Sequence, residues 1–201
     1  MRFSVYQLKP RFQQLLQPLL QRLARWGISP NQLTLATMGL MLLYGAALAL
    51  CPGNPALWVG LPLVLLVRMA LNALDGMLAN ATGQKTRLGA VLNELCDQVS
   101  DAALYLPFAL APGVHAGLLV VVVMAASWAE FTGLAALAVG AQRRFDGPMG
   151  KSDRAVAFGL LGLMVGCAAT PAWTHSLLVV VLVLLGWTVR NRVRAAVKAA
   201  D

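Results

Sequence analysis

Apolar stretches of near membrane-spanning length, with basic residues confined to alternate gaps between them, constrain this chain more than any other feature. A spanning helix needs about 20 mostly apolar residues, with a range of about 17–25. Six stretches reach or approach that length: Leu33–Leu50, Ala56–Ala79, Gly89–Ala111, Val114–Ala141, Ala155–Ala169 and Trp173–Val189. The gaps read CPGNP, ATGQKTR, PG, QRRFDGPMGKSDR and TPA; Pro and Gly stop helices there through a missing donor or excess backbone freedom. Composition agrees, since 59% of the 201 residues are hydrophobic and 12% charged. Soluble domains run at about 45–50% apolar and about 25% charged, and one of this length cannot hide so much apolar surface. A secreted soluble enzyme, a disordered regulator and a soluble nucleic-acid-binding module are excluded, despite the net charge of +8. The expected fold is an all-α integral membrane domain spanning 1–201. Residues 1–28 form an N-terminal interfacial amphipathic helix, 33–189 six transmembrane helices, and 190–201 a basic tail.

The basic residues orient it. Arg2, Lys9, Arg11, Arg22 and Arg25 precede the first span, and Lys85 and Arg87 lie between the second and third. Arg143, Arg144, Lys151 and Arg154 lie between the fourth and fifth, and Arg190, Arg192, Arg194 and Lys198 follow the sixth. Every Lys and Arg except Arg68 therefore falls on one face. The positive-inside rule makes that face cytoplasmic, with both termini on it and the chain in the plasma (inner) membrane. The N-terminus carries charge and glutamine where a signal peptide needs an apolar core, so no cleavage is expected. Phe12, Leu15, Leu16, Leu19, Leu20 and Leu23 recur at helical spacing among basic residues, as in a helix lying on the cytoplasmic leaflet. A solvated helix packed on the bundle is the alternative, and Pro10 and Pro18 start or kink it. Cys51, Cys96 and Cys167 make no CxxC and read as small buried hydrophobes.

Five carboxylates, Asp75, Glu94, Asp97, Asp101 and Glu130, fall inside expected spans. Each costs about 2.5–3.5 kcal/mol at mid-membrane even on the lenient insertion scale. Four of them crowd the cytoplasmic ends of the second and third spans. Asn72 and Asp75 are three apart and share a helix face; Asn93, Asp97 and Asp101 step by four, with Glu94 beside them. Facing oxygen ligands on two helices suit a hard cation such as Mg²⁺ together with substrate phosphates. A structural polar network, or neutralisation by Arg68 and Arg87, is the competing reading. At the start of the fifth span, Lys151 and Arg154 flank Ser152 and Asp153. That helix N-terminus, capped by Ser152 or Asp153, reads as an anion site, or as plain positive-inside charge. Ser29-Pro30-Asn31 is a helix start. Glu130 near Trp128 reads as structural in preference to an acceptor contact, and His115 and His175 match no ligand motif. Gly162-Leu-Met-Val-Gly166 is a GxxxG, read either as a homodimer face or as packing within the chain.

The stretch from Asn72 through Asp75-Gly76, Ala79-Asn80, eight residues, Gly89, Asn93 and Asp97 resembles the signature of the CDP-alcohol phosphatidyltransferases, D-x-x-D-G-x-x-A-R, eight residues, G-x-x-x-D-x-x-x-D. Asp75, Gly76, Ala79, Gly89 and Asp97 match it, whereas Asn72, Asn80 and Asn93 stand where the family has Asp, Arg and Asp. Six spans, an interfacial N-terminal helix and cytoplasmic termini are also that family's plan, so the resemblance covers nearly the whole chain.

The resemblance implies metal-dependent transfer of a phosphatidyl group from CDP-diacylglycerol to an alcohol acceptor, releasing CMP, in phospholipid biosynthesis. It implies one or two ions of Mg²⁺ or Mn²⁺ at Asn72, Asp75, Asn93 and Asp97, with Asp97 deprotonating the acceptor. Gly76 and Gly89, with Asn31, Thr34, Asp75, Ala79 and Asn80, would border the nucleotide, and Arg87, Lys151, Ser152 and Arg154 the phosphate or acceptor. An asparagine offers a neutral oxygen ligand, so one ion is balanced and a second poorly held. Glu94 and Asp101 lie close enough to restore charge, and Arg87 or Arg68 to replace the arginine lost at Asn80. The partners implied are the CDP-lipid, the alcohol and the bilayer, with no nucleic acid; the acceptor's identity is not legible. Two other readings stay open: an inactive relative kept as a membrane scaffold, and a small ion-coupled transporter.

Overall fold

The computed structural model describes residues 8–200. The first seven residues of the expected interfacial segment, Arg2 among them, and Asp201 lie outside the described residues. Within them the chain is helical and without strands: α1 (Leu8–Arg25), α2 (Pro30–Leu50), α3 (Pro55–Ala81), α4 (Arg87–Tyr105), α5 (Ala116–Ala135), α6 (Lys151–Gly166) and α7 (Pro171–Ala200). Short 3-10 turns at Leu106–Leu110 and Ala136–Val139 follow α4 and α5. The chain divides into two compact units. One holds the residues up to Leu42 together with Leu66–Ser100; the other holds Leu43–Leu65 and the described residues from Asp101 on.

Among the described residues, four segments are long and apolar enough to cross a membrane: Pro30–Leu50, Pro55–Ala81, Ala116–Val139 and Pro171–Ala199. Two of the six expected spans fall short of that test. The 19-residue α4 carries Arg87, Glu94, Asp97 and Asp101. The 16-residue α6 opens on Lys151, Asp153 and Arg154, and at 1.5 Å per residue it is roughly 24 Å long, less than a hydrocarbon core of about 30 Å. Conversely, α7 runs straight through the segment expected to be a tail. Leu185, Thr188, Arg192 and Ala196 are all buried, so their three-to-four spacing continues the helix's inner stripe.

In the first unit, Leu20 and Leu23 of α1 pack with Leu33 of α2 and Leu74 and Leu78 of α3. The apolar stripe of α1 is wider than this contact, for Leu15 remains 78% exposed and Leu19 and Trp26 are exposed as well. Ser29 and Gln32 start α2 with a reciprocal cap. The Ser29 hydroxyl accepts from the Gln32 N–H (3.2 Å), and the Gln32 amide oxygen accepts from the Ser29 N–H (2.9 Å). Pro30 occupies the first helical position, where no donor is needed.

In the second unit, Trp58 meets Phe108 with ring centroids 4.4 Å apart, and Tyr105 stacks on Phe158 at 3.7 Å. The GxxxG motif is consumed here. A Cβ on Gly162 would lie 2.9 Å from the Trp58 carbonyl, and one on Gly166 2.9 Å from the Pro55 carbonyl. Its two glycines let α6 approach the first turns of α3, which is packing within the chain. His115 caps α5, its Nδ1 accepting from the Leu118 N–H at 3.1 Å. Of the cysteines only Cys96 is buried; Cys51 and Cys167 are exposed. They lie beyond the last turns of α2 and α6, where no neighbour covers them, which corrects the expectation that all three are buried.

Candidate active site

The first unit contains a cavity of about 250 Å³. Asn31 and Thr34 border it from the start of α2, and Asp75, Gly76 and Ala79 from the last turns of α3. Gly89 and Asn93 close it from the start of α4. Its walls thus include most of the residues that the motif nominated. Thr86 fixes where α4 begins, because its hydroxyl accepts from the Gly89 N–H at 2.9 Å, an N-cap bond. Gly89 must stay small, since a Cβ there would sit 2.8 Å from Asn31 Oδ1 and 3.0 Å from Thr86 Oγ1. Gly76 differs: a Cβ built on it meets nothing within 4 Å. Bare backbone on the wall of a cavity leaves room for a flat ligand to lie against it.

Asp75 is buried. The Thr34 hydroxyl lies 3.1 Å from its Oδ2 and 3.0 Å from the Pro30 carbonyl, so one proton bridges two acceptors and ties the carboxylate to the start of α2. Asp97 is also buried. Its Oδ1 accepts from the Asn72 amide and lies 3.4 Å from Arg68 Nη2, which also donates to the Asp97 carbonyl at 3.0 Å. An aspartate at position 72 would repel Asp97; the asparagine donates to it instead. Among the described residues no three His, Cys, Asp or Glu side chains gather as a metal site. The donors present are two buried carboxylates, Asp75 and Asp97, with the amides of Asn72 and Asn93. All are hard oxygen donors, which fit a divalent cation of the Mg²⁺ or Mn²⁺ kind.

The other nominated residues divide. Asn80 stands outside the cavity walls, its amide donating to the Gly76 carbonyl at 2.8 Å. Glu94 is half-buried on α4, and Arg87 and Ser152 are exposed. Arg154 does not form an open anion site at the start of α6. It is fully buried, donating from Nη1 to Glu130 Oε1 at 2.8 Å and from Nη2 to Asp101 Oδ2 at 3.1 Å. The pairing engages Asp101 as well, the carboxylate expected to lend charge to a metal. Asp153, not Ser152, supplies the cap, accepting from the Gly150 N–H at 2.9 Å.

Two features escaped the sequence reading. Lys85 lies on the cavity wall, a cation where Asn80 supplies none; its place in the gap between two spans made it look like orientation charge alone. Arg143 and Arg192 join Arg154 around Glu130, at 3.5 and 3.7 Å from its Oε2. For Arg192 the signal was its helical spacing from Thr188 and Leu185.

Known proteins place the chain. It is 46% identical over 195 residues to inner membrane protein YnbA of Escherichia coli, covering 96% of each chain. It is 33% identical over 93 residues to a phosphatidylinositol phosphate synthase of Corynebacterium glutamicum, a match spanning 46% of this chain and 41% of that one. The fold resembles phosphatidylinositol phosphate synthase of Mycobacterium tuberculosis, solved with manganese and citrate: the TM-score is 0.76 at 18% identity, over 90% of this chain and 88% of the other. The same enzyme with CDP-DAG bound gives a TM-score of 0.70 at 19% identity, over 93% and 94% of the two chains. With its apolar helices and this inner-membrane relative, the protein is an integral membrane protein. The CDP-alcohol phosphatidyltransferase model matches residues 27–194, and the chain belongs to that family.

Proposed function

We propose that the protein transfers the phosphatidyl group of CDP-diacylglycerol to an alcohol, releasing CMP, on the cytoplasmic face of the inner membrane. The observation that carries this reading is the cavity that joins Asp75, bare Gly76 and Gly89 with Lys85 at the start of α2, the end of α3 and the start of α4. Asn31, Thr34, Gly76, Ala79 and Gly89 border the nucleotide, and Lys85 faces its diphosphate. The acceptor oxygen attacks the phosphorus that carries diacylglycerol. The bond from that phosphorus to the bridging oxygen breaks, CMP leaves with that oxygen, and Asp97 takes the hydroxyl proton. Asp75 and Asp97, with the amide oxygens of Asn72 and Asn93, would hold the divalent cation, Glu94 flanking them. When bound, such an ion, Mg²⁺ or Mn²⁺, would supply positive charge to a diphosphate.

One membrane domain with six crossings fits this reading, α4 and α6 being the short, polar members. The basic gaps and both ends then face the cytoplasm, and α1 lies at the interface with Leu15, Leu19 and Trp26 toward the acyl boundary. The test is CMP release by the purified full chain in mixed micelles containing CDP-diacylglycerol, with Mg²⁺ or Mn²⁺ and a panel of alcohols. Metal-dependent CMP release coupled to a new phospholipid is expected. No CMP with any acceptor or metal would overturn the transfer and favour a scaffold.

A further inference from the structure

One face of α7 stays uncovered from the apolar part of the helix to its basic end. Val180, Val183 and Trp187 on it are 54%, 63% and 55% exposed. Arg194 and Lys198, also exposed, follow Trp187 by whole helical turns, and all five project within about 60° of arc. The face open to acyl chains along the span therefore continues into two cations. Beside them lies an open groove of about 500 Å³, lined by Asp146, Gly147, Asn191, Arg194, Ala195 and Lys198. Gly147 seats the far wall on α7: its φ is +118°, and a Cβ on it would lie 2.7 Å from Thr188 Cα. The Thr188 hydroxyl also accepts from the Met149 N–H at 3.0 Å. Asp146, an acid on that wall, is already neutralised. Arg144 donates from Nε to its Oδ2 at 2.8 Å and from Nη2 to its Oδ1 at 3.1 Å.

Among the described residues no carboxylate pairs with Arg194 or Lys198. With Asn191 they make a ladder of donors at helical spacing: an amide, a guanidinium and an ammonium on one face. A phosphate group, all acceptors and negatively charged, is their complement. Position favours a lipid phosphate over a soluble one. Helical side chains lean toward the N-terminus of their helix, so Arg194 and Lys198 reach back toward Trp187, a residue type that settles at the headgroup level. The Arg194 backbone lies only about 10 Å further along the axis than that of Trp187. Val193 and Val197, each next in sequence to one of the two cations, are exposed as well, which suits a surface that meets lipid. We propose that Asn191, Arg194 and Lys198 hold the phosphate of an anionic phospholipid whose chains lie along Val180, Val183 and Trp187. The groove shares no residue with the cavity beside Asp75, and the inference stands apart from the transfer reaction.

The experiment uses the full chain in detergent, titrated with phosphatidylglycerol or with zwitterionic phosphatidylcholine, and native mass spectrometry scores the first lipid bound. Wild type should prefer phosphatidylglycerol by about tenfold or more, as two cations at the membrane surface provide. Arg194→Gln/Lys198→Gln should bring the two lipids within about twofold of each other. Asn191→Asp, which puts a negative charge into the groove, should weaken phosphatidylglycerol about as much as the loss of one cation. Arg22→Gln/Arg25→Gln removes the same charge from α1 and should keep the preference of wild type. Inorganic phosphate in large molar excess separates the two sources of the group, and the first phosphatidylglycerol should stay bound against it. Displacement of the lipid by phosphate would assign the groove to a soluble anion and overturn the proposal. No preference in wild type overturns it, as does the same preference in wild type and Arg194→Gln/Lys198→Gln. An equal loss in the two double variants also does so, because the attraction would then be diffuse surface charge. Should Arg194→Gln/Lys198→Gln fail to fold, Asn191→Asp decides: an unweakened first lipid overturns the site. None of these readouts depends on CMP release.

Discussion

The cavity beside Asp75 and the arginine cluster around Glu130 are both built from charges that a membrane disfavours, yet they are finished differently. At the cavity, the Thr34 hydroxyl ties Asp75 to α2, and the neighbouring wall is bare glycine backbone. At the cluster, carboxylate meets guanidinium on nearly every side. A polar site that leaves space is poised to gain a ligand, whereas one whose charges are matched within the chain resists displacement. Charge burial alone does not separate the two; what occupies the remaining coordination space does.

The largest effect should come from the open side. Asp97→Asn keeps the side chain's size and its place beside Asn72 and Arg68 but removes the base. CMP release should fall by about 10²–10⁴-fold, the usual contribution of a positioned proton acceptor. The melting temperature in detergent should fall as well, because the buried Arg68 guanidinium loses the Asp97 carboxylate. Undiminished turnover would move the acceptor's proton elsewhere.

The closed side should answer in stability. Arg154→Met removes the buried guanidinium that Glu130 and Asp101 share, and removing one partner of a buried pair costs about 3–5 kcal/mol. Unfolding in denaturing detergent should show that loss, and adding Glu130→Gln to Arg154→Met should recover part of it. Equal stability of wild type and Arg154→Met would mean that water reaches the cluster.

Much of the cavity was legible because the motif residues on its wall lie between Asn72 and Asp97 at fixed spacings. Asp75, Gly76, Gly89 and Asn93 were all nominated by the motif, and all reach the same wall. The arginine cluster was not legible, since Asp101, Glu130, Arg143, Arg154 and Arg192 come from four separate elements and a loop. Its arginines were indistinguishable from orientation charge, and helical spacing placed Asp101 on the same face as Asp97 without saying what would meet it. Similarly, α7 looked finished where its hydropathy fell, although buried Thr188 and Arg192 show the inner stripe continuing.

The two glycines of the cavity offer a finer contrast. Gly89→Ala must push Asn31 or Thr86 aside, because its Cβ would stand 2.8 Å from Asn31 Oδ1. A loss of about 1–3 kcal/mol is expected, as for other overpacked sites. Gly76→Ala meets open space, so the fold should keep its stability while KM for CDP-diacylglycerol rises. If both variants changed stability equally and KM not at all, the cavity would not be where the nucleotide lies.

The smallest change expected is also the one that probes why this site carries asparagine. Asn72 donates its amide hydrogen to Asp97, which Arg68 also approaches. A carboxylate already paired with an arginine leaves little negative charge for a cation. Asn72→Asp replaces that donor with a charge that repels Asp97, so the metal-free protein should lose stability by about 1 kcal/mol or more. A divalent cation between the carboxylates reverses the sign, since it is attracted by the added charge. Mn²⁺ titrated into the variant and followed by electron paramagnetic resonance should therefore bind several-fold more tightly than to wild type. The same ion should raise the variant's melting temperature more than wild type's, because a ligand that binds only the folded state stabilises it in proportion to its affinity. Equal Mn²⁺ affinity in the two proteins would place the cation away from position 72, leaving Asn72 only the task of holding Asp97 in position.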